Sequence, residues 1–276
     1  MAKGPSPDAL LTGLRVEPGD AADLVRRNPA ARLGLVEKAA GQTRGHELQD
    51  VLDSLHNRLW AEARRSVILV LQGMDASGKD GTIRRVLTGL NPQGCSVVNF
   101  KEPTTLDVAH DYLWRIHAMC PVRGELAIFN RSHYEDVVTV RVRKLAPAHV
   151  WRRRHEHVRA FEKLLIDEGT TVVKVFLHLS RDEQRARLQE RLDNPEKRWK
   201  FQAGDLEDRA LWNEFALAYE ETIGATSTEW APWYVVPADH NWSRNLAVAE
   251  ILVAALERLD PKLPEPDPAI RDLQIS

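Results

Sequence analysis

The chain has 276 residues, enough for one or two domains with a large core, and its 43% apolar and 28% charged residues are usual for a globular protein. Its net charge of −2 gives no overall attraction to polyanions, so we expect no nucleic-acid binding, and any phosphate-binding surface must be local. Two cysteines, Cys95 and Cys120, exclude a disulfide framework and a cysteine-based metal centre. The sequence shows neither a run of about 18 apolar residues nor a signal-peptide pattern, so we expect a cytoplasmic protein without membrane binding.

Helices and strands are predicted to alternate after an N-terminal arm. Residues 1–48 are rich in Pro, Gly and Ala, so we expect an arm that is partly irregular, with short helical pieces. Apolar residues from Leu52 to Trp60 recur at helical spacing, which predicts a helix over 49–65. Strands are predicted at 66–72, 96–100, 125–129, 171–179 and 233–236. Further helices are predicted at 81–87, 107–119, 135–144, 150–167, 182–192, 208–225 and 244–259.

This alternation predicts an α/β fold in which a parallel sheet is covered by helices on both faces. The domain is predicted to span 49–260, followed by an extended, proline-containing tail at 261–276. Ligands of such sheets bind at the carboxyl ends of the strands, so the segments that follow the strands are the candidate functional segments.

The strand at 66–72 runs into Gly-Met-Asp-Ala-Ser-Gly-Lys, which is the phosphate-binding loop pattern G-x-x-x-x-G-K. In such a loop, backbone N–H groups and the start of the next helix point at phosphate oxygens, and Lys79 reaches the outer phosphates. An accidental match in a glycine-containing turn is the alternative, but the flanking strand and helix argue against it. The predicted phosphate ligands are Gly73, Ala76, Ser77, Gly78, Lys79 and Asp80.

One position departs from the common loop. Asp80 stands where nucleoside triphosphatases place the Ser or Thr that binds magnesium, so the metal must be held differently. Asp75, inside the loop, is the nearest hard oxygen ligand, and we expect it to bind Mg²⁺, with Mn²⁺ as an alternative ion. Glu135 is the second predicted metal ligand.

The strand at 125–129 leads into Asn130-Arg-Ser-His-Tyr-Glu-Asp136. In P-loop proteins a carboxylate near this point helps to hold magnesium, whereas here the position is the neutral Asn130. Arg131 is placed to meet phosphoryl oxygens with its planar fork. A local capping role, in which Ser132 caps the next helix and Glu135 completes a capping box, is equally compatible with the spacing.

Arg187 and Arg191 lie four residues apart and share one face of the helix predicted at 182–192. This pattern suggests a helical lid, at about 181–204, whose arginines close on a transferring phosphoryl group. Acidic residues are interleaved with the basic ones, so a solvated, salt-bridged helix is the alternative.

Further basic and aromatic residues are candidates for substrate contacts. The basic cluster from Arg141 to Arg154 predicts either a solvated cationic surface or part of a channel for a long anion, which Arg84, Arg85 and Lys101 would extend. Asp111 and Arg115 share a helix face, and Trp114 either stacks on a nucleobase or belongs to the core. The predicted nucleotide-binding residues are Asp111, Trp114, Arg115, Asn130 and Arg131.

Taken together, these segments resemble the polyphosphate kinase 2 family, which moves phosphoryl groups between inorganic polyphosphate and nucleotides on a P-loop kinase fold. The resemblance extends from about Leu52 to Leu259 and rests on seven motifs in the same order. They are Gly73–Gly81, Phe100–Pro103, His110–Arg115, Phe129–Val137, Arg191–Pro195, Trp199–Phe201 and Ala231–Asp239. The form Asn-Arg-Ser-x-Tyr-Glu-Asp is similar to that of the subgroup that phosphorylates both AMP and ADP.

The resemblance implies a magnesium-dependent, reversible transfer of the terminal phosphoryl group of polyphosphate to AMP and ADP, with guanine nucleotides as alternative acceptors, and a homo-oligomer. It also implies that Asp75 is a metal-binding or base-like carboxylate and that Lys79 binds phosphate. Arg131, Arg187 and Arg191 would be transfer and lid groups. An ATP-dependent nucleotide kinase of the same fold and a non-enzymatic nucleotide-binding regulator are the alternatives. The ATP-dependent kinase is disfavoured because the chain has more basic residues than one nucleotide needs. The regulator is disfavoured because Lys79 and Asp75 are both present.

Overall fold

A six-stranded sheet forms the centre of the computed structural model, which describes residues 6–35 and 37–268. The strands are Arg15–Val16 (β1), Ser66–Gln72 (β2), Cys95–Asn99 (β3), Leu126–Asn130 (β4), Thr170–His178 (β5) and Trp233–Pro237 (β6). Their spatial order is β1-β6-β5-β2-β4-β3, and all pairs are parallel except β1 with β6. The five predicted strands are therefore confirmed to within one residue at each end.

Helices surround the sheet. They are Pro7–Leu14 (α1), Lys38–Glu62 (α2), Lys79–Val86 (α3), Thr105–Val108 (α4), Trp114–His117 (α5), Glu135–Val142 (α6), Ala148–Asp167 (α7), Arg181–Asp193 (α8), Ala203–Ala210 (α9), Trp212–Thr226 (α10) and Asn241–Leu259 (α11). Short 3₁₀ turns occur at Pro92–Gly94 and Arg198–Lys200. Among the described residues, no helix has both the length and the apolar composition that a bilayer crossing requires.

Strand β2 shows why the sheet is covered on both faces. All of its residues are buried, and successive side chains of a strand point to opposite faces. Leu69 and Leu71 pack with apolar residues of α2, α3 and α11, whereas Ile68 and Val70 pack with those of α6, α7 and α10. The predicted α/β fold is therefore confirmed, with the short antiparallel β1 added at one edge.

Two segments that were each predicted as one continuous helix form two helices instead. The segment at 107–119 forms two single turns, α4 and α5, because the Asp111 carboxylate accepts a hydrogen bond from the Leu113 N–H at 2.9 Å. Such a local side-chain turn competes with the helical hydrogen bonds. The segment at 208–225 is likewise divided, with α9 ending and α10 beginning around Leu211.

The N-terminal region is more closely tied to the domain than the sequence indicated. Helix α2 begins at Lys38, so the boundary placed at residue 48 lies inside a continuous helix. The two residues of β1 are too few to show a period, and they were not predicted. Glu220 of α10 accepts hydrogen bonds from the backbone N–H groups of Asp23 and Leu24, at 2.7 and 2.8 Å. Residues 1–5 of the arm and 269–276 of the tail lie outside the described residues.

A buried ionic cluster joins β5 to α7 below the segment that follows β4. Lys174 Nζ lies 2.7 Å from Glu162 Oε2 and donates to the Thr226 carbonyl, also at 2.7 Å. The Tyr134 hydroxyl donates to Glu162 Oε1 at 2.7 Å, and the side chains of Glu162 and Lys174 are fully buried. Because Tyr134 belongs to the segment that carries Arg131, the cluster fixes that segment against the sheet.

We expect Lys174→Met to lower the free energy of unfolding by about 3–5 kcal/mol, because it leaves the Glu162 carboxylate buried without its counter-ion. Urea denaturation followed by circular dichroism measures this change. Lys163→Met is the matched control, since Lys163 lies on α7 in an exposed pair with Asp167 and should cost less than about 1 kcal/mol. Equal losses in the two variants would show that the buried pair does not stabilise the fold.

Candidate active site

The loop after β2 has the backbone shape of an anion-binding loop. Gly73 and Gly78 have φ of 154° and 97°, and Ala76 lies in the left-handed region at 61°. A side chain at Gly78 would place its Cβ 2.0 Å from a guanidinium nitrogen of Arg244, so only glycine fits there. The Ser77 hydroxyl is buried without a partner among the described residues. This unsatisfied group is consistent with a loop shaped for a ligand.

Lys79 is the first residue of α3, and its side chain returns to the loop. Its ammonium donates to the carbonyls of Gly73, at 2.7 Å, and Met74, at 3.3 Å. Burial, reinforced by the positive charge of Arg131, lowers the pKa of Lys79 to about 8. The predicted phosphate-binding lysine therefore lies inside the loop, and its pKa is lowered by burial and by the Arg131 charge.

Asp75 and Arg131 form an ion pair across the mouth of the site. The Arg131 guanidinium lies 2.8 Å from Asp75 Oδ1. Burial opposes the charged form of Asp75, but the positive charges of Lys79 and Arg131 outweigh it, so the pKa of Asp75 lies below its usual value. Arg131 has a φ of 64°, an uncommon backbone conformation for a residue with a side chain. The carboxyl ends of β2 and β4 thus bring two predicted catalytic residues into contact.

Asn130 pairs with the unusual loop residue Asp80. Asn130 Nδ2 donates to Asp80 Oδ1 at 3.0 Å. A carboxylate at position 130 would face the Asp80 carboxylate and repel it, whereas the amide supplies a donor. The two departures from the common P-loop pattern therefore compensate each other.

These residues open onto a cleft of about 480 Å³ at the carboxyl edge of the sheet. Its lining contains the predicted metal ligands Asp75 and Glu135 together with Lys101, Arg115 and Arg131. The carboxylates that line it are Asp75, Glu102, Glu135, Asp136, Asp205 and Asp208. The cations that line it are Lys101, Arg115, Arg131 and Arg143. Carboxylates therefore outnumber cationic groups in a place predicted to receive phosphates.

Arg187 lies behind the loop rather than over the cleft. Its guanidinium donates to the carbonyls of Ala76 and Ser77, at 3.0 and 3.2 Å, and to those of Ala238 and Asp239, at 2.7 and 2.9 Å. These bonds attach the first half of α8 to the loop. In this conformation Arg187 positions the loop, and it leaves no guanidinium N–H directed at a substrate.

The other predicted lid arginine, Arg191, lies near the far end of α8. It donates to Asp205 Oδ2 at 3.5 Å, and Asp205 lines the cleft. Gln184, between the two ends of the helix, donates to the Asp75 carbonyl at 3.1 Å. Helix α8 is therefore in contact with both the loop and the rim of the cleft.

Most predicted residues of the phosphate loop, Lys79 included, are not part of the cleft lining, and Arg84, Arg85, Asp111 and Trp114 lie further from the loop and do not line it either. Arg84 is exposed on α3, and Arg85 lines a separate cleft between α2, α3 and α11. Asp111 closes the turn between α4 and α5, and Trp114 stacks on His110 with ring centres 4.2 Å apart. From this segment Val108 and Arg115 line the cleft, and Arg115 pairs with Asp136 at 3.2 Å.

Two residues of the site, Arg244 and Asp208, were missed from the sequence, and a third, Arg143, was predicted only as part of a basic cluster. Arg244 of α11 is buried and donates to the Ser77 carbonyl at 3.2 Å. Asp208 lines the cleft together with Asp75, and burial, reinforced by the Asp75 charge, raises the pKa of Asp208 above the usual value. Arg143 pairs with Asp208 at 2.6 Å. All three lie far from the loop in sequence, and no motif spacing connects them to it.

Comparison with known proteins identifies the family. The family model described as Polyphosphate kinase 2 (PPK2) matches residues 35–264. The chain belongs to this family.

Relatives and solved structures agree with the assignment. The chain is 58% identical to the AMP/ADP-polyphosphate phosphotransferase of Meiothermus ruber, over 81% of this chain and 84% of that protein. It is 44% identical to the ADP-polyphosphate phosphotransferase of Rhodopseudomonas palustris, over 80% of each. A polyphosphate kinase 2 crystal structure from Arthrobacter aurescens TC1 superposes with a TM-score of 0.91 at 38% identity, covering 100% of this chain and 95% of that one. The predicted P-loop kinase fold and the predicted enzyme class are confirmed.

For this polyphosphate kinase 2 family member, the lowered pKa of Lys79 predicts that the reaction rate falls at high pH. The ammonium loses its proton as pH rises through about 8, so kcat/KM for the phosphoryl donor should fall above that pH. A pH series of initial rates at low donor concentration measures it. Lys79→Arg is the control, because arginine stays charged and should remove this fall even if the rate is lower. A fall at the same pH in both enzymes would assign it to another group.

Proposed function

We propose that the protein transfers the terminal phosphoryl group of inorganic polyphosphate to AMP and to ADP. The relatives carry these activities in their names, and the observation that carries the proposal is the cleft itself. Its lining joins the start of the phosphate loop, Gly73 to Asp75, with the cations Lys101, Arg115 and Arg131. A donor phosphate at the loop and an acceptor phosphate at these cations would meet in one cleft.

The acceptor phosphate is anionic at neutral pH, so the protein needs to align and neutralise charge rather than remove a proton. Lys79 and Arg131 both contact loop residues, and both are preorganised: Lys79 by the loop carbonyls and Arg131 by the Asp75 carboxylate. Substrate oxygens can replace these protein acceptors when they enter. The exchange keeps each cation satisfied before and after binding.

Magnesium fits the chemistry of the donor set. Among the described residues, no group of three or more His, Cys, Asp or Glu side chains could hold a metal as a complete cage. Magnesium in kinase sites instead takes one or two carboxylates, with phosphates and water completing the shell. Asp75 and Glu135 both line the cleft and would be those ligands. When bound, the ion would supply positive charge to phosphoryl oxygens in a cleft rich in carboxylates.

Accepting both AMP and ADP requires a site without a strong charge penalty for the longer acceptor. Asn130 is neutral, and its amide is paired with Asp80, so it places no additional negative charge at the end of β4. A carboxylate there would plausibly cost about 1–3 kcal/mol against an added phosphate, enough for at least a tenfold preference. The neutral Asn130 side chain supports the proposal that both acceptors are used.

A time course from AMP with excess polyphosphate tests the proposed function. ADP should rise first and then fall as ATP appears, with the nucleotides separated by chromatography. Lys79→Ala should lower the rate on the order of 10²-fold or more, because it removes a preorganised charge from the loop. GDP added as an alternative acceptor shows whether guanine nucleotides are also used.

Two outcomes would contradict the proposal. Accumulation of ADP without ATP would limit the enzyme to one step, and the neutral Asn130 would then not explain acceptor choice. Nucleotide phosphorylation that requires ATP as donor, with polyphosphate inactive, would instead favour an ATP-dependent nucleotide kinase. A wild-type rate in Lys79→Ala would remove the loop from the mechanism.

The magnesium assignment predicts that Asp75→Asn needs more magnesium and turns over more slowly. The amide keeps the size of the side chain but removes the charged oxygen ligand. Magnesium titrations of the rate, at fixed polyphosphate and AMP, measure the shift in the half-saturating concentration. Asp111→Asn is the matched control, because Asp111 lies outside the cleft. Superimposable titrations of Asp75→Asn and the parent would refute the assignment.

A further inference from the structure

A second cleft, of about 330 Å³, lies between α2, α3 and α11. It is separate from the active-site cleft, and the two share no lining residue. Polar and basic side chains make up half of its lining, and no carboxylate of the described residues lines it. The residues that matter here are Lys38, His46, Arg85, Asn241, Trp242 and Asn245.

The two cationic side chains of this cleft, Lys38 and Arg85, form no ion pair or hydrogen bond with any described residue. The His46 imidazole also has no hydrogen-bond partner among those residues. Arg44, on the same helix as Lys38 and His46, behaves differently, since it pairs with Glu250 at 2.8 Å. Uncompensated cations around a concave surface without carboxylates create a local positive potential in a protein of net charge −2.

Two asparagine amides add hydrogen-bond donors to the same wall. Asn241 Oδ1 accepts from Arg244 at 2.7 Å, and Asn245 Oδ1 accepts from Arg244 at 3.0 Å. A guanidinium is only a donor, so these contacts fix which amide atom is the oxygen. Each amide nitrogen then has no partner among the described residues, and both asparagines line the cleft. An anion is the ligand that such cations and free N–H groups would bind.

Arg85 connects this cleft to the helix that begins at the phosphate loop. Lys79 and Arg85 are on the same helix, α3, and six residues of helix span about 9 Å. Gly81 presents no side chain between them. We propose that this cleft binds the distal phosphates of a polyphosphate chain whose terminal phosphate lies at the loop. The proposal rests on the proposed function and extends it to the length of the donor.

Trp242 supplies a local reporter. Its ring lies against Gly41, where an added Cβ would be 2.5 Å from a ring carbon, so the close contact keeps the indole in the wall of the cleft. Fluorescence of the full-length protein, titrated with tripolyphosphate, is compared with that of Trp242→Phe to isolate this ring. We expect a saturable change in the parent and a roughly tenfold weaker apparent affinity in Lys38→Gln/Arg85→Gln.

Arg58→Gln is the matched control, because it removes one exposed cation from α2 outside the cleft. Its titration should match that of the parent. The same curve for the parent and for Lys38→Gln/Arg85→Gln would overturn the proposal. This titration does not depend on turnover, so it remains informative even if the proposed phosphoryl transfer is not observed.

Kinetics with two donors test whether the occupant is the distal part of the substrate. In Lys38→Gln/His46→Gln, KM for long-chain polyphosphate should rise roughly tenfold, whereas KM for tripolyphosphate should change less than about twofold. Both substituted residues are exposed, so the fold is retained. The assignment would be overturned if KM rose equally for the two donors. It would also be overturned if tripolyphosphate bound in the cleft while the preference for long chains stayed unchanged. Failure of the parent with both donors would instead refute the proposed function.

Discussion

A phosphate-binding loop turns its N–H groups toward the ligand, so its carbonyls point into the protein, where each requires a donor. In this protein two arginines supply those donors from opposite sides. Arg187 of α8 binds the carbonyls of Ala76 and Ser77, and Arg244 of α11 binds that of Ser77. Burial, followed by the charge of Arg187, lowers the pKa of Arg244 to about 10. The shape of the site therefore depends on two buried guanidinium groups that do not face the cleft.

Charge in front of the loop is balanced by pairs rather than by single residues. Asp75 is matched by Arg131, and Asp80 is matched by the neutral donor of Asn130. The remaining carboxylates still outnumber the cations that line the cleft, and two phosphate-bearing substrates would add more negative charge. This excess of negative charge is the basis of the magnesium proposal. The same reasoning explains why the acid-free second cleft differs in character from the active-site cleft.

The sheet brings these groups together because its central strands are parallel and in register. Leu71 of β2 lies opposite Asn130 of β4, so the loop and the Arg131 segment emerge side by side. Below them, the buried cluster of Glu162 and Lys174 holds the same segment through Tyr134. The cost of burying these charges is offset by mutual pairing, and the result is a fixed position for an arginine with an unusual backbone conformation.

The sequence by itself determined the alternation of strands and helices, the loop from Gly73 to Lys79 and the importance of Arg131, because apolar periodicity and the glycine pattern are local signals. It did not determine where a helix would be interrupted by the Asp111 turn, nor that α2 would begin at Lys38. Arg187 was recognised as important, but its place behind the loop came only from the tertiary structure. Arg244, Asp208 and Arg143 carry no spacing signal at all, since packing of distant helices decides which side chains meet at the loop. Local backbone shape is encoded in neighbouring residues, whereas the partners of a site are chosen by the fold as a whole.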